Sequence, residues 1–186
     1  MKNRLTRKIA LSGLFLALAL IVSLLENMLP PVIPALPYAK LGLGNVVLLM
    51  CFLTLGVGEG YVVLVLKCLL AAVFAGNFSM LVWSLPSAVV AYTAMVLLAR
   101  TRIFSVAGLS TAGGMLHNVT QIAVATGVVG TAVAAYLPYM ILAGGLAGLV
   151  TGVVCHFVIA FFKRNDLAGG EDVYVREQRA ELSDED

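Results

Sequence analysis

Apolar residues run along this chain in six stretches, about 9–29, 42–57, 60–76, 79–99, 104–129 and 134–162, separated by short polar or glycine- and proline-containing segments. Roughly 20 apolar residues carry a helix across the hydrocarbon core. The pattern therefore predicts an all-α membrane protein with six transmembrane helices. The second and third stretches are short, and only the tight turn Gly56-Val-Gly-Glu-Gly60 separates them. A hairpin that does not fully cross is the alternative for this pair. The sixth stretch is longer than a crossing needs, so it should tilt or begin with an interfacial turn.

Composition supports this reading. The 186 residues are 61% hydrophobic with only 12% charged, about half the charged share of soluble domains, and the mean hydropathy is +1.00. One membrane domain, residues 1–164, accounts for the apolar sequence. Residues 165–186 form an acidic, polar tail that reads as disordered and cytoplasmic.

Charge sets the orientation. Lys2, Arg4, Arg7 and Lys8 precede the first span, Arg100 and Arg102 separate the fourth from the fifth, and Lys163 and Arg164 follow the sixth. Six spans place all three clusters on one side, which the positive-inside rule makes the cytoplasm. Both termini are expected there, in the plasma membrane of a bacterium. The N-terminal stretch lacks a small-x-small cleavage site and reads as a retained helix. The outer loop over residues 30–41 holds Pro30, Pro31, Pro34 and Pro37, which makes it stiff and suited to a lid. Trp83, Tyr136 and Tyr139 are expected at the outer interface, as aromatic belts are.

Within the apolar body, polar residues gather in the outer half. Lys67 interrupts the third span, where an ammonium costs about 2.5–3.5 kcal/mol on insertion scales. His117 and Gln121 lie four residues apart on one face of the fifth span, flanked by Asn118. At about 1.5 Å per residue, Lys67 lies roughly 12 Å from the cytoplasmic end and His117 roughly 20 Å. The lysine stem can close most of that gap. Glu26, Asn27, Lys40 and Asn45 lie nearer the outer surface. The arrangement suggests a polar cavity open outward and closed beneath, with Lys67, His117, Asn118 and Gln121 as its wall and Asn45, Lys40 and Glu26 at its mouth. Two lysines and a histidine against one carboxylate favour a ligand bearing a carboxylate, phosphate or diphosphate. The apolar surroundings suit an apolar or aromatic remainder. Interhelical hydrogen bonds that merely fix packing are the competing explanation.

Small residues form two further patterns. Gly144, Gly148 and Gly152 stripe the sixth span, and Gly13 and Ala17 share a face of the first. Such stripes allow close helix approach. Packing within the bundle is the default for both, and docking on another membrane subunit is the alternative for the first helix.

Other chemistry is missing from the sequence. There is no Walker sequence, so the chain is not expected to hydrolyse ATP. The apolar body has no aspartate, whereas magnesium-dependent prenyl transfer needs clustered carboxylates. Cys51, Cys68 and Cys155 are scattered through apolar segments, and His117 and His156 fall near opposite faces, so neither metal nor disulfide is expected. No cofactor site or nucleic-acid surface stands out, and the chain is not read as an enzyme.

Three segments carry a resemblance: Lys40-Leu-Gly-Leu-Gly-Asn45 after the proline-rich loop, Lys67 in the third span, and Ser105–Ser110 leading into Gly113-Gly-Met-Leu-His-Asn-Val-Thr-Gln121. Over about residues 9–162 the chain resembles the heptaprenyl diphosphate synthase component I family, also named the Gx transporter family. It departs at Gly44, where that pattern often has alanine. The family in turn resembles the substrate-binding S components of energy-coupling factor transporters. That likeness implies a six-helix bundle, an outward-facing ligand pocket, and a first helix that docks through Gly13 and Ala17 on a coupling membrane subunit. ATP hydrolysis would then belong to partner ATPases.

Overall fold

The computed structural model describes residues 2–28 and 40–164, with side chains for 5–28 and 40–160. The acidic tail and the proline-rich part of the outer loop lie outside the described residues. Among the described residues six α-helices follow one another: α1 (Lys2–Met28), α2 (Asn45–Leu55), α3 (Val57–Phe74), α4 (Ser79–Arg100), α5 (Val106–Val129) and α6 (Leu137–Arg164). A 3-10 turn, Thr131–Tyr136, leads into α6, as the length of the last apolar stretch suggests.

Four of these elements are long and apolar enough to cross a membrane: α1, α3, α4 and the stretch Thr131–Ala160 containing α6. α5 is as long, but His117, Asn118, Thr120, Gln121 and its glycines dilute its apolar character. α2 has only 11 residues; at 1.5 Å per residue it rises about 16 Å, half the hydrocarbon thickness of about 30 Å. It is apolar all round, the signature of a buried helix. Eight of its residues are buried, and it touches every other helix of the bundle. The remaining helices form an arc around it in the order α1, α3, α4, α5, α6, with no close backbone approach between α6 and α1. Irregular backbone at membrane depth survives only where protein encloses it or it lines a cavity, and Lys40–Gly44, just before α2, meets that condition.

The α2–α3 junction is made by Gly56, whose φ of +123° suits glycine alone. The Tyr92 hydroxyl donates to the Val57 carbonyl at 2.9 Å, fixing α3 against α4. The Lys8 ammonium pairs with Glu59 at 2.7 Å, which places the start of α1 beside the start of α3. Gly152 of α6 packs on Ala107 of α5. These contacts gather the charged ends of α1, α4 and α6 at one end of the bundle, the arrangement that the positive-inside argument requires.

The glycine stripe of α6 is an intramolecular seam. Gly144 faces Gly114, and Gly148 lies against the backbone of Ser110 and Thr111. The Ser110 and Thr151 hydroxyls meet across the same seam at 3.3 Å. On α1, Gly13 has nothing within 4 Å of where a Cβ would stand, and Ala17 is exposed. One aromatic expectation changes. Tyr136 and Tyr139 are exposed, but Trp83 is buried against a cluster containing Ile122, Ala125, Val133 and Met140, because its helix turns it toward α5.

Candidate functional site

α3 and α5 do not approach each other closely. The space between them, at the end of the bundle away from the basic clusters, holds a small cavity. Its wall comes from Ser23 and Glu26 of α1, Lys40 and Gly42 before α2, Lys67, Cys68, Ala71 and Ala72 of α3, Met80 and Ser84 of α4, and His117 of α5. Its volume is about 20 Å³, enough for one or two waters. Seating a larger ligand requires its wall to open.

Lys67 is 7% exposed. Among the described residues its ammonium makes no ion pair. Glu26 lines the same cavity without reaching Lys67 to form one. The Lys67 Nζ instead lies over Gly44 beside the Ser23 hydroxyl: a Cβ on Gly44 would stand 3.0 Å from Nζ and 3.2 Å from the Ser23 Oγ. An alanine at this position would therefore crowd the ammonium.

Two side chains fix the Lys40–Gly44 segment. The Glu26 carboxylate accepts from the Gly42 N–H at 2.6 Å and from the Leu43 N–H at 3.4 Å. The Gln121 carbonyl oxygen accepts from the Lys40 N–H at 3.0 Å. These bonds strap the segment between α1 and α5. Gly42, at φ +80°, passes so close to His117 that a Cβ would stand 2.8 Å from the ring carbon Cδ2 and 2.9 Å from the Asn45 amide nitrogen.

The strap also orients His117. With the Gln121 oxygen occupied by Lys40, its amide nitrogen faces His117 Nε2 at 3.2 Å. The amide donates, Nε2 accepts, and the ring proton of the neutral imidazole sits on Nδ1. Nδ1 has no hydrogen bond of good geometry. Both amide atoms of buried Asn45 also lack partners. Buried polar groups without partners are uncommon in folded proteins; His117 is one such group at the cavity wall, beside the unpaired Lys67 ammonium.

The sequence-derived set thus separates. Lys67, His117, Glu26 and Lys40 line the cavity. Gln121 stands behind His117, and Asn45 beside Gly42. Asn118 is turned away: its amide donates to the Met140 carbonyl of α6 at 2.8 Å, and it is fully buried in the α5–α6 seam. Gly13 and Ala17 lie on the exposed face of α1, outside this cavity. Sequence reasoning missed Ser23, Gly42, Cys68, Ala71, Ala72, Met80 and Ser84. Ser23 precedes Glu26 by three residues, and Ala71 follows Lys67 by four; helical spacing from the charged residues would have found these two. Among the described residues no group of three His, Cys, Asp or Glu converges to hold a metal.

No curated protein and no solved structure matches the chain. The family model described as heptaprenyl diphosphate synthase component I matches residues 15–158, which covers the cavity and all of its lining residues. The chain belongs to the heptaprenyl diphosphate synthase component I family.

Proposed function

We propose that this protein is a membrane substrate-binding subunit, of the S-component kind, for uptake of a small anionic or amphipathic molecule. The observation that carries the reading is Lys67: a buried ammonium at the wall of a cavity, with no counter-ion among the described residues. A charge held inside a membrane domain without a partner is costly, and an anionic ligand would offset that cost. His117 and Gln121 would orient the ligand, Asn45 would supplement their hydrogen bonds, and Lys40 and Glu26 would hold the strap at the entrance. Asn118 would act indirectly, by fixing α5 on α6. The exposed small-residue face at Gly13 and Ala17 fits a docking surface for a coupling membrane subunit. ATPases would supply the energy, in keeping with the missing Walker sequence. The setting would be a bacterial plasma membrane, with both termini in the cytoplasm.

A second reading is favoured by the family description, which names a synthase component. On that reading the chain is a non-catalytic accessory subunit in isoprenoid or quinone metabolism that presents a prenyl diphosphate to a separate enzyme. A purely structural subunit fits less well, because it predicts polar side chains paired with one another. Affinity purification of the full chain from gently solubilised native membranes separates these readings. Co-purification of a second membrane subunit with ATPases is expected for uptake. A soluble prenyl-transferring enzyme in their place would refute uptake in favour of the accessory role.

A further inference from the structure

We infer that the ligand of this cavity carries a single carboxylate on a short apolar body, rather than a diphosphate. The inference rests on reading the cavity as a ligand site, and it narrows what that site accepts. Charge balance is the first argument. The wall carries the ammonium groups of Lys67 and Lys40, the Glu26 carboxylate, the Cys68 thiol and the His117 ring, and His117 is the neutral hydrogen-bond acceptor of Gln121. Two ammonium groups and one carboxylate leave one net positive charge. One carboxylate neutralises it. A diphosphate would leave negative charge uncompensated in a region of low dielectric, where unpaired charge is strongly disfavoured.

Size and wall chemistry point the same way. A space for one or two waters matches a carboxylate head far better than two linked phosphates. The donors at the wall are the Lys67 and Lys40 ammonium groups, the His117 Nδ1–H and the hydroxyls of Ser23 and Ser84. Diphosphates are commonly held through magnesium on clustered carboxylates, and among the described residues Glu26 is the only carboxylate at this wall, with one oxygen engaged by the strap. Beyond the head position, Ala71, Ala72 and Met80 form a wall of small or flexible apolar side chains, suited to a short alkyl or aryl group and offering it no further charge.

The test uses the full chain in nanodiscs, with binding followed by fluorescence of Trp83, the single tryptophan and the neighbour of Ser84. Hexanoate, benzoate, inorganic phosphate and geranyl diphosphate serve as probes, with wild type, Lys67→Leu and Glu26→Gln compared. Hexanoate or benzoate should bind wild type at least about tenfold more tightly than geranyl diphosphate and lose that binding in Lys67→Leu. Glu26→Gln keeps an acceptor oxygen for the strap and adds one net positive charge, so inorganic phosphate should gain about tenfold in affinity. Tighter Lys67-dependent binding of geranyl diphosphate would overturn the carboxylate assignment and leave the site intact. Failure of both carboxylates to bind through Lys67 would also overturn the assignment. The site itself is tested separately, by whether a ligand co-purifies with wild type but not with Lys67→Leu.

Discussion

Replacing Gly148 by alanine tests whether the α5–α6 seam holds the histidine-bearing helix in place. A Cβ on Gly148 would stand 2.5 Å from the Ser110 carbonyl oxygen and 2.8 Å from the Thr111 Cα. Both obstacles are backbone, so neither can swing aside. To reach ordinary contact at 3.4 Å, α6 must retreat from α5 by roughly 0.9 Å, and overpacking of this kind costs about 1–3 kcal/mol. The upper end is expected here, because retreat also loosens the Gly144–Gly114 contact and the Asn118–Met140 hydrogen bond in the same seam. Alanine's higher helix propensity complicates any single measurement. Gly127→Ala, on the exposed end of α5 with nothing within 4 Å, carries the same propensity gain without the clash. The difference in unfolding free energy between the two variants therefore isolates the packing cost, expected near 3 kcal/mol. Reversible unfolding in mixed detergent–SDS micelles measures it. Equal stability of Gly148→Ala and Gly127→Ala would refute the seam as described.

Other outcomes follow from the strap, the cavity and the α3–α4 contact. Glu26→Ala removes the acceptor of the Gly42 and Leu43 amides; it should cost about 1–3 kcal/mol and speed hydrogen exchange at those amides, while Glu26→Gln should largely restore protection. Cys68 lines the cavity, whereas Cys51 and Cys155 are buried elsewhere. A small methanethiosulfonate reagent should therefore modify Cys68 first in mass-spectrometric mapping, and bound ligand should slow that reaction. Tyr92→Phe deletes the hydroxyl that reaches Val57 and should lower stability by about 1 kcal/mol in the same micellar unfolding assay.

The helices and the polar layer were legible in the sequence because apolar run lengths and helical spacing report directly on both. The rotation of each helix was not. In a membrane the lipid-facing and core-facing sides are equally apolar, so no amphipathic stripe revealed that Trp83 turns inward or that Asn118 turns toward α6. The Lys67–His117 grouping was accessible because a charge and a polar pair at known depths restrict which helices can meet. The strap was hidden for another reason. Its partners are the backbone N–H groups of Lys40, Gly42 and Leu43, and backbone groups carry no sequence signal. The proline-rich lid and the disordered acidic tail remain sequence-based expectations outside the described residues.

The most direct test of the account is native mass spectrometry of the protein gently extracted from its own membrane, comparing wild type with Lys67→Leu. Circular dichroism and gel filtration would confirm that both are folded and monodisperse. Wild type should carry a bound small anion, and the variant should lack it. A wild-type protein free of ligand, or a folded Lys67→Leu protein that retains the same bound species, would contradict the claim that Lys67 anchors an anionic ligand.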